Sequence, residues 1–288
     1  MKRDRLYSPR VIKNVLDRFG FSFSKGLGQN FLIDGNVVRA IRESAGITKD
    51  DYVLEIGPGF GTLTEELLLN AKKVVAVEID QRLIDVLSYT LQDFDNFILI
   101  NEDVLKVDLD KIRNDHFEGQ PFKIVANLPY YITTPIITKL IEARLPCESM
   151  TFMVQKEVAD RLAAKPGNKL YGSITVFLNY YCDTKIVVNA PKKVFMPSPK
   201  VDSVVVQLKM KKDLIDVDTK TLFKLVHSGF QQRRKNIMNS LTSNNDLGIN
   251  KEHLAEILDG LGLSKNLRAE SLSLDDFVNI TKKLDKNV

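Results

Sequence analysis

The sequence predicts an α/β protein: a doubly wound, largely parallel sheet with helices on both faces, followed by a small all-helical domain. Three observations carry that reading. Short apolar runs alternate with helix-period patterns from Tyr52 to about residue 163, as strands buried on both faces of a parallel sheet require. A glycine-rich turn, Gly57-Pro58-Gly59-Phe60-Gly61, directly follows the first run and opens a helical pattern. From Thr219 onward every apolar pattern is helical.

Val11, Ile12, Val15, Leu16 and Phe19 recur at helical spacing with basic residues between them, which predicts an amphipathic first helix. The stretch from Lys25 to Leu32 (KGLGQNFL) is too glycine-rich for a helix and too apolar at its end for a free linker, so a packed loop is expected. Asp34 is a good N-cap for a helix reaching Ser44. Strands are expected at 52–56, 74–79, 97–101, 122–126 and 150–155, with helices at 62–70, 81–91, 135–143 and 156–163. A helix at 171–181 precedes two further strands, 185–190 and 203–209, without a clear crossover helix between them. An antiparallel edge on the parallel sheet fits that pattern. The strand signal stops near Lys211, so a boundary at about 212 divides the chain into 1–212 and a helical bundle at 213–288.

Composition excludes several classes. With 44% hydrophobic and 27% charged residues the chain has the material of an ordinary globular core. No run approaches the roughly 20 apolar residues of a membrane span, and MKRDRLYSPR has no apolar signal core behind its charges. Two cysteines without a CxxC pair and three scattered histidines argue against a disulfide framework or a metal site, which makes a reducing cytoplasm the expected setting. The net charge is only +4, but its distribution is uneven. Lys192, Lys193, Lys200, Lys209, Lys211 and Lys212 lie close together, and Arg233, Arg234 and Lys235 follow on a predicted helix. Either cluster is a solvated face or a track for phosphates.

The residues with chemical promise sit where strands end. The dinucleotide fingerprint GxGxxG needs glycine at 62, where Thr62 stands; the third glycine comes one position early, at Gly61. Together with Glu55 before it, this loop resembles that of S-adenosylmethionine-dependent methyltransferases more than a pyrophosphate cradle. Glu78, 21 residues after Gly57, is placed to accept ribose hydroxyls. Asp103 or its neighbour Glu102 is placed to take an adenine amine, with Val104 or Ile79 against the ring. After the fourth run comes Asn127-Leu128-Pro129-Tyr130. Read alone it is an ordinary turn. Beside the Gly57 loop it can grip a flat base: the Asn127 oxygen and a carbonyl of Leu128 or Pro129 accept the two amine hydrogens, and Tyr130 stacks on the ring.

The set formed by Gly28-Gln29-Asn30-Phe31-Leu32, Glu55-x-Gly-Pro-Gly-x-Gly, Val77-Glu78, Glu102-Asp103, Asn127-Leu128-Pro129-Tyr130, Phe195-Met196-Pro197-Ser198-Pro199-Lys200-Val201-Asp202-Ser203 and Phe230-Gln231-Gln232-Arg233-Arg234-Lys235 resembles the ribosomal RNA adenine N6,N6-dimethyltransferase family over nearly the whole chain. The match is nearest to its bacterial small-subunit branch. The resemblance implies a Rossmann-like, seven-stranded class I methyltransferase sheet and S-adenosyl-L-methionine as cofactor, held by Asn30, Leu32, Gly57, Glu78, Asp103 and Asn127. It implies acceptor handling by Asn127, Pro129, Tyr130 and Phe195, the last as a second aromatic face on the target base. It also implies 16S rRNA of the immature 30S subunit as partner, contacted by Lys192, Lys193, Lys200, Arg233, Arg234 and Lys235, with the protein acting as a monomer. One departure is Tyr131, where many relatives have Asn. Alternatives are a 23S rRNA methyltransferase of the macrolide-resistance type, a non-catalytic subunit-assembly factor and, more remotely, a nicotinamide dehydrogenase.

Overall fold

The computed structural model describes residues 5–21, 23, 29–243 and 248–285. The first helix is α1 (Pro9–Phe19), which buries Ile12 and Val15 and ends at Gly20 in the left-handed region. Residues 25–28 of the expected glycine-rich loop lie outside the described residues. The chain continues through β1 (Phe31–Leu32), α2 (Gly35–Ser44), β2 (Tyr52–Ile56), α3 (Thr62–Leu68), β3 (Lys73–Glu78) and α4 (Gln81–Thr90). Then come β4 (Phe97–Asn101), α5 (Leu109–His116), β5 (Phe122–Asn127), α6 (Thr133–Glu142), β6 (Cys147–Gln155) and α7 (Lys156–Leu162). The remainder is α8 (Ser173–Tyr181), β7 (Cys182–Ala190), β8 (Phe195–Met196), β9 (Ser203–Met210), α9 (Thr219–Gln231), α10 (Ile237–Thr242), α11 (Lys251–Gly260) and α12 (Leu274–Asp285).

The long strands form one seven-stranded sheet in the order β4-β3-β2-β5-β6-β9-β7. Strands β2 to β6 pair in parallel and β9 runs antiparallel to β6, the mixed edge that the missing crossover helix implied. All five residues of β2 are buried, as a central strand covered on both faces must be. Asp34 caps α2 as expected, its side chain accepting from the backbone of Asn36 at 2.8 Å and Val37 at 3.2 Å.

Contacts divide the chain into two compact units: 1–159 with 185–210, and 160–184 with 211–288. The boundary expected near 212 falls beside the observed break, but 160–184 joins the helical unit instead of the sheet unit. Its α8 carries buried aromatic and apolar side chains that pack on α9 and α12. Three elements were not expected. Helix α5 buries only Leu109 and Ile112 among eight mostly polar residues, too few to show a period. Strands β1 and β8 are two residues each and pair antiparallel, Phe31 with Met196 and Leu32 with Phe195. The cluster Arg233 to Lys235 is not helical: it forms the turn between α9 and α10, because Asn236 caps α10 through the backbone N–H of Asn239 at 2.9 Å and so starts a new helix there.

Candidate active site

The carboxyl ends of β2, β3, β4 and β5 meet at one edge of the sheet, and their loops enclose a cavity of about 1040 Å³ measured out to its open mouth. It lies where the strand order reverses, with β2 between β3 and β5. Among the described residues, every charged side chain on its wall is acidic: Glu55, Glu78, Glu102 and Asp103. No described lysine or arginine lines it.

The β2 end supplies the glycine turn. Gly59 has φ of 60°, and a Cβ built there would lie 2.8 Å from the Phe31 ring, so both backbone and space demand glycine. Phe31 stacks on Phe60 with ring centroids 4.1 Å apart, which presses β1 onto this turn. Gly57 donates to the Val77 carbonyl at 3.0 Å, fixing the turn against β3. Behind it Glu55 is 1% exposed, and its Oε2 has no hydrogen-bond partner among the described residues. Burial, with the charge of Glu78 nearby, pushes the Glu55 carboxyl up to about 8.

Glu78 ends β3, and its Oε1 accepts from the Asp80 backbone N–H at 2.8 Å. Burial pushes its pKa up to about 7, against the pull of backbone N–H groups including those of Asp80 and Gly59. Asp103 is half-buried; its Oδ1 accepts from Leu105 N–H at 2.9 Å, which aims the carboxylate. Glu102 is exposed.

The β5 end supplies the acceptor-like groups. The ladder between β5 and β6 reaches Asn127 and is prolonged by Leu128 N–H to the Met153 carbonyl at 3.1 Å, so this turn is pinned to the sheet. Asn127 Nδ2 donates to the Asn30 carbonyl at 3.1 Å. That bond turns Oδ1 the other way, with no donor to it among the described residues. The Pro129 carbonyl accepts from Thr133 Oγ1 at 3.0 Å and from Ile132 N–H at 3.3 Å, which occupies both lone pairs. Leu128 O receives no donor from the described residues. Of the two carbonyls the sequence left open, Leu128's is therefore the one with acceptor capacity. The Tyr130 hydroxyl bonds Ser203 Oγ at 2.8 Å, and burial raises its pKa. Tyr131 stands 56% exposed on the wall.

Asn30, Leu32, Gly57, Glu78, Asp103, Asn127, Pro129 and Tyr130 thus all line one cavity. Phe195 does not. It is 3% exposed in β8, paired with Leu32 and packed in the core. Lys192, Lys193 and Lys200 are exposed. In the helical unit Arg234 and Lys235 are exposed as well, but Arg233 is engaged by its own chain: it donates to the carbonyls of Lys169 and Tyr171 and pairs with Glu270 at 3.1 Å. Sequence reasoning missed Gln29 and Asp80 as site residues, although Gln29 lies inside one of the motifs singled out. Among the described residues no cluster of His, Cys, Asp or Glu could hold a metal, and no helix is long and apolar enough to cross a membrane.

A family model for ribosomal RNA adenine dimethylase matches residues 20–286. A protein of Lachnoclostridium phytofermentans named ribosomal RNA small subunit methyltransferase A is 47% identical over 98% of this chain and 99% of its own length. A protein of the same name from Clostridioides difficile is 48% identical over 95% of each chain. Among solved structures, a dimethyladenosine transferase from Plasmodium falciparum superposes with a TM-score of 0.75 at 29% identity, covering 89% of this chain and 98% of that one. The 23S rRNA methyltransferase ErmE gives 0.69 at 27%, covering 89% of this chain and all of the other. The fold is thus that of the Rossmann-like methyltransferases, and the chain belongs to the ribosomal RNA adenine dimethylase family as an enzyme of that class.

Proposed function

We propose that this enzyme transfers methyl groups from S-adenosyl-L-methionine to N6 of two adjacent adenines in the 3′-terminal stem-loop of 16S rRNA, giving N6,N6-dimethyladenosines on the immature 30S subunit. The observation that carries the reading is the acceptor pair, Asn127 Oδ1 and Leu128 O, beside the Tyr130 ring in a cavity whose charged wall, among the described residues, is acidic. The small-subunit name of relatives nearly half identical over their whole length supports the 16S target over the large-subunit one.

The wall fits the cofactor. A dinucleotide brings phosphates, for which the described wall offers acidic groups and no cation; a sulfonium and an ammonium would favour the ionised forms of Glu55 and Glu78, and the unpartnered Glu55 oxygen is buried on that wall. Glu78 would take the ribose hydroxyls and Asp103, aimed by Leu105, the adenine amine in preference to exposed Glu102. Gly57 lets the backbone approach, and Asn30 and Leu32 close the side carrying β1. Bound there, the cofactor supplies an electrophilic methyl group.

An exocyclic adenine amine is a poor nucleophile because its lone pair is delocalised into the ring. Two fixed acceptors, one for each N–H, hold the amine so that its nitrogen can pyramidalise and free that pair. Tyr130 stacks on a base that has left its helix or comes from an unpaired region. Its own hydroxyl stays neutral, since burial raises its pKa against the opposite pull of the Ser203 bond. No strong base is needed, because the proton leaves to water once the methylated nitrogen is cationic.

Lys192, Lys193, Lys200, Arg234 and Lys235 would track RNA phosphates, and the helical unit would recognise folded rRNA by shape. The test is mass spectrometry of ribosomal RNA from cells lacking the protein, with and without a rescuing copy. Loss of adjacent dimethyladenines from 16S RNA is expected; loss of a 23S mark instead would overturn the target. An Asn127→Ala copy should fail to restore methylation. Whether that copy still binds immature 30S particles separates catalysis from an assembly role.

A further inference from the structure

We infer that Asp80 and Gln29 form a latch that positions Asn127: Gln29 Nε2 donates to Asp80 Oδ2 at 2.7 Å and anchors the segment whose next carbonyl, Asn30 O, orients the Asn127 amide. Neither latch residue would touch the target amine, so both are positioning residues.

The argument begins with how firmly Asp80 is held. It is 7% exposed, and its Oδ1 caps α4 through Arg82 N–H at 3.1 Å. The Arg82 guanidinium closes on the same carboxylate, Nε to Oδ1 at 2.9 Å and a terminal nitrogen to Oδ2 at 2.6 Å. Arg82 first, and Gln29 with it, keeps the Asp80 carboxyl below its ordinary pKa, so it stays an ionised acceptor. A charged acceptor makes the stronger class of hydrogen bond.

The segment it holds is also tied at its apolar end. Phe31 stacks on Phe60, the two-residue β1 pairs with an equally short β8, and Ile33 N–H donates to the Val194 carbonyl at 2.8 Å; the bond to Asp80 adds a tie at the polar end, next to Asn30. Yet Asn30 must offer its carbonyl at a fixed place, because the Asn127 amide turns its oxygen toward the cavity only while Nδ2 is bonded on the far side. The backbone N–H of the same Asp80 holds Glu78 Oε1 at 2.8 Å. One residue thus fixes a cofactor-side carboxylate through its backbone and the acceptor-side amide through its side chain. Two ends of the cavity that are far apart in sequence are set from one point.

The experiment compares four variants. Gln29→Met keeps the length and deletes the donor. Gln29→Glu faces two carboxylates. Asp80→Asn alone is expected to be mild, because the Gln29 amide can turn over and accept from it. Gln29→Glu with Asp80→Asn restores the bond with donor and acceptor exchanged. Hydrogen–deuterium exchange over residues 29–33 reads the order of the segment without reference to activity, and kcat and KM on immature 30S particles read its consequence. Gln29→Met and Gln29→Glu should speed exchange and lower kcat by about ten- to a hundredfold, the scale of a small misplacement of a reacting group. The double variant should recover both. Unchanged exchange in Gln29→Met, or a double variant as impaired as Gln29→Glu, would overturn the latch. The kcat arm rests on Asn127 gripping the acceptor amine; the exchange arm does not. Faster exchange with undiminished kcat would therefore keep the latch as a structural tie but overturn its role in positioning Asn127.

Discussion

Asn127 to Tyr130 and Arg233 to Lys235 both stand out in the sequence, and the structure treats them in opposite ways. In the first stretch local bonds leave function available: Leu128 N–H, Pro129 O and the Asn127 Nδ2 are consumed internally, which leaves Oδ1 and Leu128 O as acceptors on a fixed frame. In the second, internal bonds claim part of the charge. One terminal nitrogen of Arg233 meets two carbonyls and a carboxylate of its own unit while the side chain stays 48% exposed, and among the described residues Arg234 and Lys235 show no such ties. A charge in a sequence is therefore not a charge offered to a partner. What matters is which donors and acceptors remain after the chain has satisfied itself.

The strongest way to sharpen this contrast is Asn127→Ala, which removes one fixed acceptor. A fall in kcat of at least about 10²- to 10³-fold is expected, the range for deleting one preorganised partner, with S-adenosyl-L-homocysteine binding within a few-fold of wild type by calorimetry. Full methyl transfer by that variant would break the mechanism. Next in size is Gly59→Ala. Its Cβ would sit 2.8 Å from the Phe31 ring at a left-handed φ, so cofactor binding should weaken and unfolding free energy should drop by about 1–3 kcal/mol in denaturant titrations.

Arg233→Ala and Arg234→Ala test the other half. The first should lower Tm by a few degrees through loss of internal bonds worth about 1 kcal/mol. The second should leave Tm in place and reduce the slope of log affinity against log salt for rRNA by about one. Equal effects of the two would erase the distinction drawn between them.

The contrast extends to pH. Burial raises Glu55 to about 8 and Glu78 to about 7 from an ordinary value of 4.5. Between those limits the folded protein binds more protons than the unfolded chain, so these groups' stabilisation is full below about pH 4.5 and is lost as pH rises through 7 to 8. The Tm of the cofactor-free protein should fall over pH 5 to 8. The rise in Tm on adding S-adenosyl-L-homocysteine should grow over the same interval, because ribose hydroxyls bond best to an ionised carboxylate. Glu78→Gln should flatten both curves by differential scanning fluorimetry.

Strands were legible as short apolar runs, buried on two faces in β2 and half-buried in β4; β2, β4 and the start of β5 fall where those runs put them. The cavity-lining residues were legible because they end those strands. What could not be read depends on contacts distant in sequence or on very short elements. Helix α5 has two buried residues, β1 and β8 exist only by pairing with each other, and segment 160–184 joins a unit most of which lies after residue 210. The burial of Phe195 is of the same kind: its partner, Leu32, is more than 160 positions away. The tie between Gln29 and Asp80 likewise leaves no periodic trace.

The two acceptors at Asn127 and Leu128 also give the proposed reaction a way to count. Adenine enters with two N–H bonds to offer, and each transfer replaces one by a methyl group that neither oxygen can hold. After the first the base is gripped by one acceptor and the Tyr130 ring; after the second nothing on the amine remains to bind. A site built only of acceptors thus carries its own stopping rule: it holds the half-finished base less firmly than the substrate and the finished one least, so completion and release are the same event.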